Sequence, residues 1–218
     1  MTLPTRKLSD LLPLVLPHAP LVPHPTAEEN LRLAAREFCM ATRCWRMTFT
    51  ETIATQGQAL ASIPAWATLF DIESAFFADR KLDPKAYRDL TPLDLADTNG
   101  PPSWISQANP NTVTLVPFAT GPLMIVGFMA PASAVDKSFD PSMPIHDRNN
   151  VIPEFLYDLY GQEIAHGALA KILAIPGASF DPDRATYFGR EFEKAKGNFT
   201  IGSTGQHGSK LRVKPQWM

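Results

Sequence analysis

The sequence predicts an α+β fold: a helical bundle built from N- and C-terminal helices, an inserted β-rich domain between them, and an extended C-terminal arm. Three observations carry this. Apolar residues recur at three- and four-residue spacing over 31–45 and again over 155–175. Between those stretches the period falls to two and β-branched residues dominate. The last stretch, 197–218, has Gly197, Gly202, Gly205 and Gly208 and too few apolar residues to build a core.

Composition bounds the problem. At 44% apolar and 19% charged, the 218-residue chain falls in the soluble globular class, long enough for one sizeable core or two small ones. A formal net charge of −2 gives no global attraction to nucleic acid or to an acidic membrane, so any such contact must come from a local patch. No leader pattern and no apolar run of about 18 residues stands out, so neither export nor membrane spanning is expected. Cys39 and Cys44 lie five apart on a predicted helix, turned roughly 140° from each other, which argues against a disulfide and for a reducing cytoplasm. The 21 prolines are about twice the average share of roughly 5% and cluster over 17–25, 101–102, 117–122 and 131–144, imposing extended or turn geometry there.

The elements follow in order. Thr26-Ala27-Glu28-Glu29 reads as a capping box opening a helix whose apolar face is Leu31, Ala34, Ala35, Phe38, Thr42 and Trp45, with Arg32, Arg36, Glu37 and Arg43 on the remainder. From Met47, alternation of Met47, Phe49 and Ile53 against Thr48, Thr50 and Thr52 makes a strand. Further strands are predicted over 68–77, 103–107, 112–118 and 123–129, parted by turns such as Asn99-Gly100 and Asn109-Pro110-Asn111, with a helical turn or two over 91–97. The helical period returns near Ile145, with Asn150 or Ile152 as cap, Pro153 in the first turn, and Phe155, Leu156, Leu159, Tyr160, Ile164, Ala168, Ile172 and Ile175 as the apolar surface. Pro176-Gly177 ends it, and Asp181 then caps a last helix through Tyr187, Phe188, Phe192 and Ala195. The expected division is therefore 1–46 for an N-terminal segment and first bundle helix, 47–145 for the β-rich insert, 146–196 for the C-terminal bundle helices and 197–218 for the arm.

Catalytic patterns fail one by one. Glu163 and His166 are spaced like one unit of a di-metal bundle, but no second Glu-x-x-His exists, and the other histidines lie in Pro- or Gly-rich segments. Gly202–Lys210 resembles a phosphate loop only superficially: the order is Gly208-Ser209-Lys210 and it follows a helix, so it reads as a flexible linker. Gly202-Ser203-Thr204-Gly205 is not a nucleophile elbow. Neither cysteine has a histidine at ligand spacing, and Asn198-Phe199-Thr200 has meaning as a glycosylation acceptor only after secretion. No catalytic residue, metal site or cofactor is assigned.

One local asymmetry remains. No Asp or Glu follows Glu193, whereas Lys194, Lys196, Lys210, Arg212 and Lys214 are basic. Interleaving of Lys210, Arg212 and Lys214 with Leu211, Val213 and then Trp217 suits strand addition to a partner, or insertion into its groove.

In order and wording, LRLAAREFCMATRCWR, the β segment, PEFLYDLYGQEIAHGALAKILAIPG, FDPDRATYFGREFEKAK and the basic tail together resemble the head-to-tail adaptor of short-tailed bacteriophages, the tail tubular protein A type. The resemblance runs from about Leu8 to Met218 and is most specific over EIAHGALAKILAIPGASFDPDRATYFGREF. It implies a non-enzymatic virion protein at the head–tail junction and a homo-oligomeric ring, twelve copies, beneath the portal protein. It also implies a tail nozzle protein bound below, and genomic DNA passing through the channel without sequence-specific contact. No membrane is involved. On that reading Lys210, Leu211, Arg212, Val213, Lys214 and Trp217 form a portal-binding arm, while Gly161, Ala165 and Ala168 form a stripe on which a neighbouring helix packs closely. Two readings of other classes stay open: a β-rich binding module whose basic tail contacts nucleic acid, and a di-metal helical enzyme using Glu163 and His166.

Overall fold

A computed structural model describes residues 3–96, 100–133 and 150–206, the stretch from 200 by its backbone alone. In chain order it contains β1 (Thr5–Lys7), a 3-10 turn (Leu8–Leu11), α1 (Leu12–Val15), α2 (His24–Thr42), β2 (Arg46–Ile53), β3 (Gln58–Ala59), β4 (Ala67–Phe77) and β5 (Arg80–Pro84). A second 3-10 turn (Tyr87–Asp89) leads to α3 (Pro92–Ala96), β6 (Trp104–Ser106), β7 (Thr112–Val116), β8 (Gly121–Pro131), β9 (Val151–Pro153), α4 (Glu154–Ala174) and α5 (Pro182–Gln206). The α+β class holds.

The central sheet has the order β2-β8-β4-β5-β6-β7-β3. Its spine is β8, which is apolar almost throughout and pairs antiparallel with β2 from Arg46↔Phe128 to Ile53↔Gly121 and with β4 on its other side. Register shifts between Leu69 and Asp71 and between Ile72 and Ser74 bulge β4 and help the sheet curl. Gly127 is required at this crossing, because a β-carbon there would lie 2.9 Å from the Asp71 carbonyl oxygen. Where backbone pairing lapses, side-chain amides stand in. The Gln56 side chain exchanges two hydrogen bonds with the Leu115 backbone, Gln58 Nε2 donates to the Thr52 carbonyl at 3.0 Å, and Gln107 Nε2 donates to that of Leu69 at 3.1 Å. The result is a nearly closed sheet.

The helical side is built on Phe38 of α2. Its ring lies 5.1 Å from Tyr160 of α4 and 6.2 and 5.6 Å from Phe192 and Phe199 of α5. Helix α2 also packs on β8, where Arg36 Nη1 donates to the Pro131 carbonyl at 2.9 Å, and one continuous core joins helices to sheet. The N-terminal segment folds back on α4: Leu8, Leu11 and Val15 are fully buried, and β1 pairs antiparallel with β9 from Thr5↔Pro153 to Lys7↔Val151.

Several sequence-based expectations need correction. Helix α2 starts at His24, a turn earlier than the capping box, with Pro25 in its first turn where no amide is needed and no side chain capping it. Thr26 is inside the helix and its carbonyl accepts from Asn30 Nδ2 at 2.8 Å. Arg32 is buried rather than solvated, its Nη2 2.6 Å from Glu29. The helix stops at Thr42 because Arg43 turns left-handed (φ 55°), so Trp45 reaches the core from beyond it. Val151–Pro153 is a strand, so α4 begins only at Glu154. Leu159 and Ile175, expected in the core, are 62% and 50% exposed. Helix α5 continues through Gln206, so residues 197–206 are helical, not an extended arm or a flexible linker.

Candidate functional site

Helix α4 is apolar on nearly all sides and is wrapped by the rest of the chain. Gly161, Ala165 and Ala168 are all buried within the chain itself. A β-carbon on Gly161 would lie 3.1 Å from Leu11 Cδ2 and 3.9 Å from Leu14 Cδ1, so the small residue admits the chain's own N-terminal segment. Gly167 is tighter: the Phe192 ring would lie 2.8 to 2.9 Å from its β-carbon. The surface that α4 leaves open is instead Asp158, Leu159 and Gln162.

Glu163 and His166 border that open face without forming a site. The His166 ring lies 5.4 Å from Phe188, its Nε2 is 3.2 Å from Gln162 Nε2, and burial lowers its pKa against the opposing pull of Glu163 and Glu191. Among the described residues no group of three or more His, Cys, Asp or Glu side chains is placed to hold a metal ion. His18 flanks the other side of Phe188 at 5.2 Å and is tied to α5, with Arg184 Nη2 at 2.8 Å from its Nδ1. Asp181 caps α5 as its sequence suggests, Oδ1 accepting the Arg184 amide at 3.0 Å.

A carboxylate on α2 joins the three long helices. Glu37 accepts from Lys171 of α4 and Lys196 of α5, each at 2.8 Å. Burial works against its charge, yet the two lysine hydrogen bonds outweigh that and lower its pKa. Lys196 also meets Glu193 at 2.6 Å, and Lys194 meets Glu191 at 3.8 Å. These two lysines of the basic tract thus serve the fold. Lys210, Leu211, Arg212, Val213, Lys214 and Trp217 lie outside the described residues.

A second exposed feature escaped the sequence reading. At the α4–α5 turn, Leu21 (68% exposed) and Ile175 (50%) border an apolar groove of about 140 Å³ lined also by Val22, Pro23 and Ile172, and Phe180, next in the chain after the lining Ser179, is exposed too (51%). The adjacent Ile175-Pro176 step was the available signal, since a helix-terminating proline strands the preceding side chain outside the helix. A separate cleft of about 220 Å³ between β4, β5 and β6, lined by Phe70, Lys85, Tyr87 and Ser106, has no histidine in its lining to activate the Ser106 hydroxyl. No described helix is long and apolar enough to cross a membrane.

Comparison with known families supplies the class: the SU10 adaptor protein model matches residues 7–213. The chain belongs to the SU10 adaptor family. No curated protein matches it. As an SU10 adaptor it is a structural phage protein of the head–tail adaptor class, not an enzyme, and a virion component that works with portal and tail parts. The match takes in the N- and C-terminal helices and the β region between them, so the sequence resemblance to phage head-to-tail adaptors holds at the level of the family.

Proposed function

We propose that this SU10 adaptor assembles as a twelve-membered ring of the tail tubular type, seated between the portal of a short-tailed phage head and the tail nozzle and continuing the DNA channel. The family match over 7–213 carries the reading. Gly161, Ala165 and Ala168 pack inside the subunit, so on this reading the ring contact falls to outward side chains of the helical layer such as Leu159. The N-terminal segment and α2, with α4 and α5 through Gln206, form the bundle, the strands between them the β-rich insert, and the basic stretch Lys210–Trp217 the arm that meets the portal. DNA passes without sequence-specific contact.

Electron microscopy of the purified protein, alone and with its cognate portal, tests this. The expected particle is a ring of mass near twelve times the 24.0 kDa chain, stacked coaxially on the portal when both are present. A persistent monomer that never joins the portal would overturn it.

A further inference from the structure

The two cysteines stand closer than their helical spacing implies. Cys39 is in the last turns of α2, but Arg43 leaves the helix in a left-handed conformation with its amide bonded to the Cys39 carbonyl at 2.8 Å, and the chain doubles back. Cys44 therefore returns beside Cys39, Sγ to Sγ 3.9 Å, both thiols free. Closing to the bond length of about 2.05 Å requires the sulfurs to approach by roughly 2 Å. That shift falls on the irregular link 43–45, which belongs to neither α2 nor β2.

The two thiols also differ in the way a stepwise reaction needs. Cys39 is fully buried and burial pushes its pKa well up, so it stays a thiol out of reach of solvent. Cys44 is half-buried, and its contact with the Cys39 sulfur lowers its pKa against the effect of burial. The sulfur with the lowered pKa belongs to the less buried of the two residues.

We propose that Cys39 and Cys44 are a redox modification site that closes to an intrachain disulfide on exposure to peroxide. The Cys44 thiolate attacks one peroxide oxygen, the O–O bond breaks, and the departing hydroxide takes up a proton to leave as water, with Cys44 as the sulfenic acid. Cys39 sulfur then attacks Cys44 sulfur; the S–O bond breaks, and hydroxide leaves with the Cys39 proton as a second water. Two thiols and one peroxide give one disulfide and two waters. The bond pins the end of α2 to the entrance of β2, at the joint between helices and sheet. Its chemistry stands on the chain alone. Its occasion rests on the reading above, because a particle that leaves a reducing cytoplasm enters surroundings in which disulfides persist.

The test uses the full-length protein in dilute hydrogen peroxide, with thiols alkylated after denaturation and intact mass recorded. Both thiols should disappear together, the mass should fall by two hydrogens, and dithiothreitol should restore both. In Cys44→Ser, Cys39 should stay fully labelled under the same exposure. In Cys39→Ala, Cys44 should stop at a sulfenic acid that dimedone traps. The proposal is overturned if both thiols still label, if Cys44 passes to the sulfinic acid while Cys39 labels, or if the disulfide forms between chains. Ring formation is scored separately by sedimentation, so loss of the ring with closure intact counts against the functional reading alone.

Discussion

Gly167 of α4 lies directly beneath Phe192 of α5, so close that a β-carbon would sit 2.8 Å from Cε2 of the ring. The ring is packed on other sides as well. It is 4% exposed, is backed by Phe38 at 6.2 Å and has the Lys196 ammonium 4.8 Å from its centroid. Glycine here sets the distance between the last two helices, and through Lys196 and Glu37 the position of α2 as well.

Two effects compete in Gly167→Ala. Alanine favours the helix by about 1 kcal/mol. Overpacking against a confined ring costs about 1–3 kcal/mol. The clash is with rigid aromatic atoms, so the variant is expected to melt below the wild type, and pairing it with Phe192→Leu should recover part of the loss. A melting temperature equal to or above the wild-type value would mean that α4 and α5 separate freely.

Asn111 supports the sheet through its side chain. With φ 59° it occupies the left-handed region, which asparagine tolerates better than most residues. Its Oδ1 accepts the Leu69 amide at 2.8 Å and its Nδ2 donates to the Ala67 carbonyl at 3.1 Å, replacing a missing strand along that part of β4. Asn111→Ala strands a donor and an acceptor, at about 1–3 kcal/mol each where burial excludes water, and keeps the unfavourable backbone. Asn111→Gly relieves the backbone alone. Urea denaturation should therefore rank wild type above Gly above Ala, and a Gly variant as stable as wild type would show that the amide contributes nothing.

Much of this arrangement was legible in the sequence, and the misses have physical causes. Alternation located β2, and the apolar run of 123–129 located β8, because each faces one environment along its length. Asp181 was readable as a cap since the motif is local. By contrast, β1 and β9 are three residues each and pair across the whole chain, while β5 carries Arg80, Lys81 and Asp83, so neither the period nor the composition marks them. The nearness of Cys39 and Cys44 depended on a left-handed turn at Arg43, where no glycine or asparagine announces one. Burial of Gly161, Ala165 and Ala168 was predictable from their size. Which partner covers them was not, because Leu11 and Leu14 sit in a proline-rich stretch without helical periodicity.

His166 gives the fold a pH dependence of defined sign. Burial lowers its pKa from the ordinary 6.5, with Glu163 and Glu191 pulling it back up and His18 adding to the lowering. The unfolded chain therefore binds a proton that the folded chain refuses in the window just below 6.5, so this contribution to stability is complete above that value and is lost as pH falls through the lowered folded value. His166→Gln, which keeps a polar side chain beside Gln162, should flatten the melting temperature between about pH 7 and 5. An unchanged slope in the variant would assign the effect to another group.

The arm can now be separated from the helix that precedes it. Phe199 lies 4.7 Å from Tyr160 and 5.6 Å from Phe38, so cutting at 197 removes part of the core together with the arm. A cut after Gln206 leaves those rings in place and still removes Lys210, Leu211, Arg212, Val213, Lys214 and Trp217. Deletion of 207–218 should give a protein that melts cooperatively at the wild-type temperature yet does not hold the portal, whereas deletion of 197–218 should melt lower as well. Copies around a ring bind multivalently, so individually weak arms suffice for a lasting joint, and their loss should be abrupt rather than graded. Because three of the six side chains are cationic, binding by the intact chain should weaken as salt rises. Portal pull-down at moderate salt decides the matter: retention of the 207–218 deletion at full strength would place the attachment surface elsewhere, the groove bordered by Leu21 and Ile175 being the next to substitute.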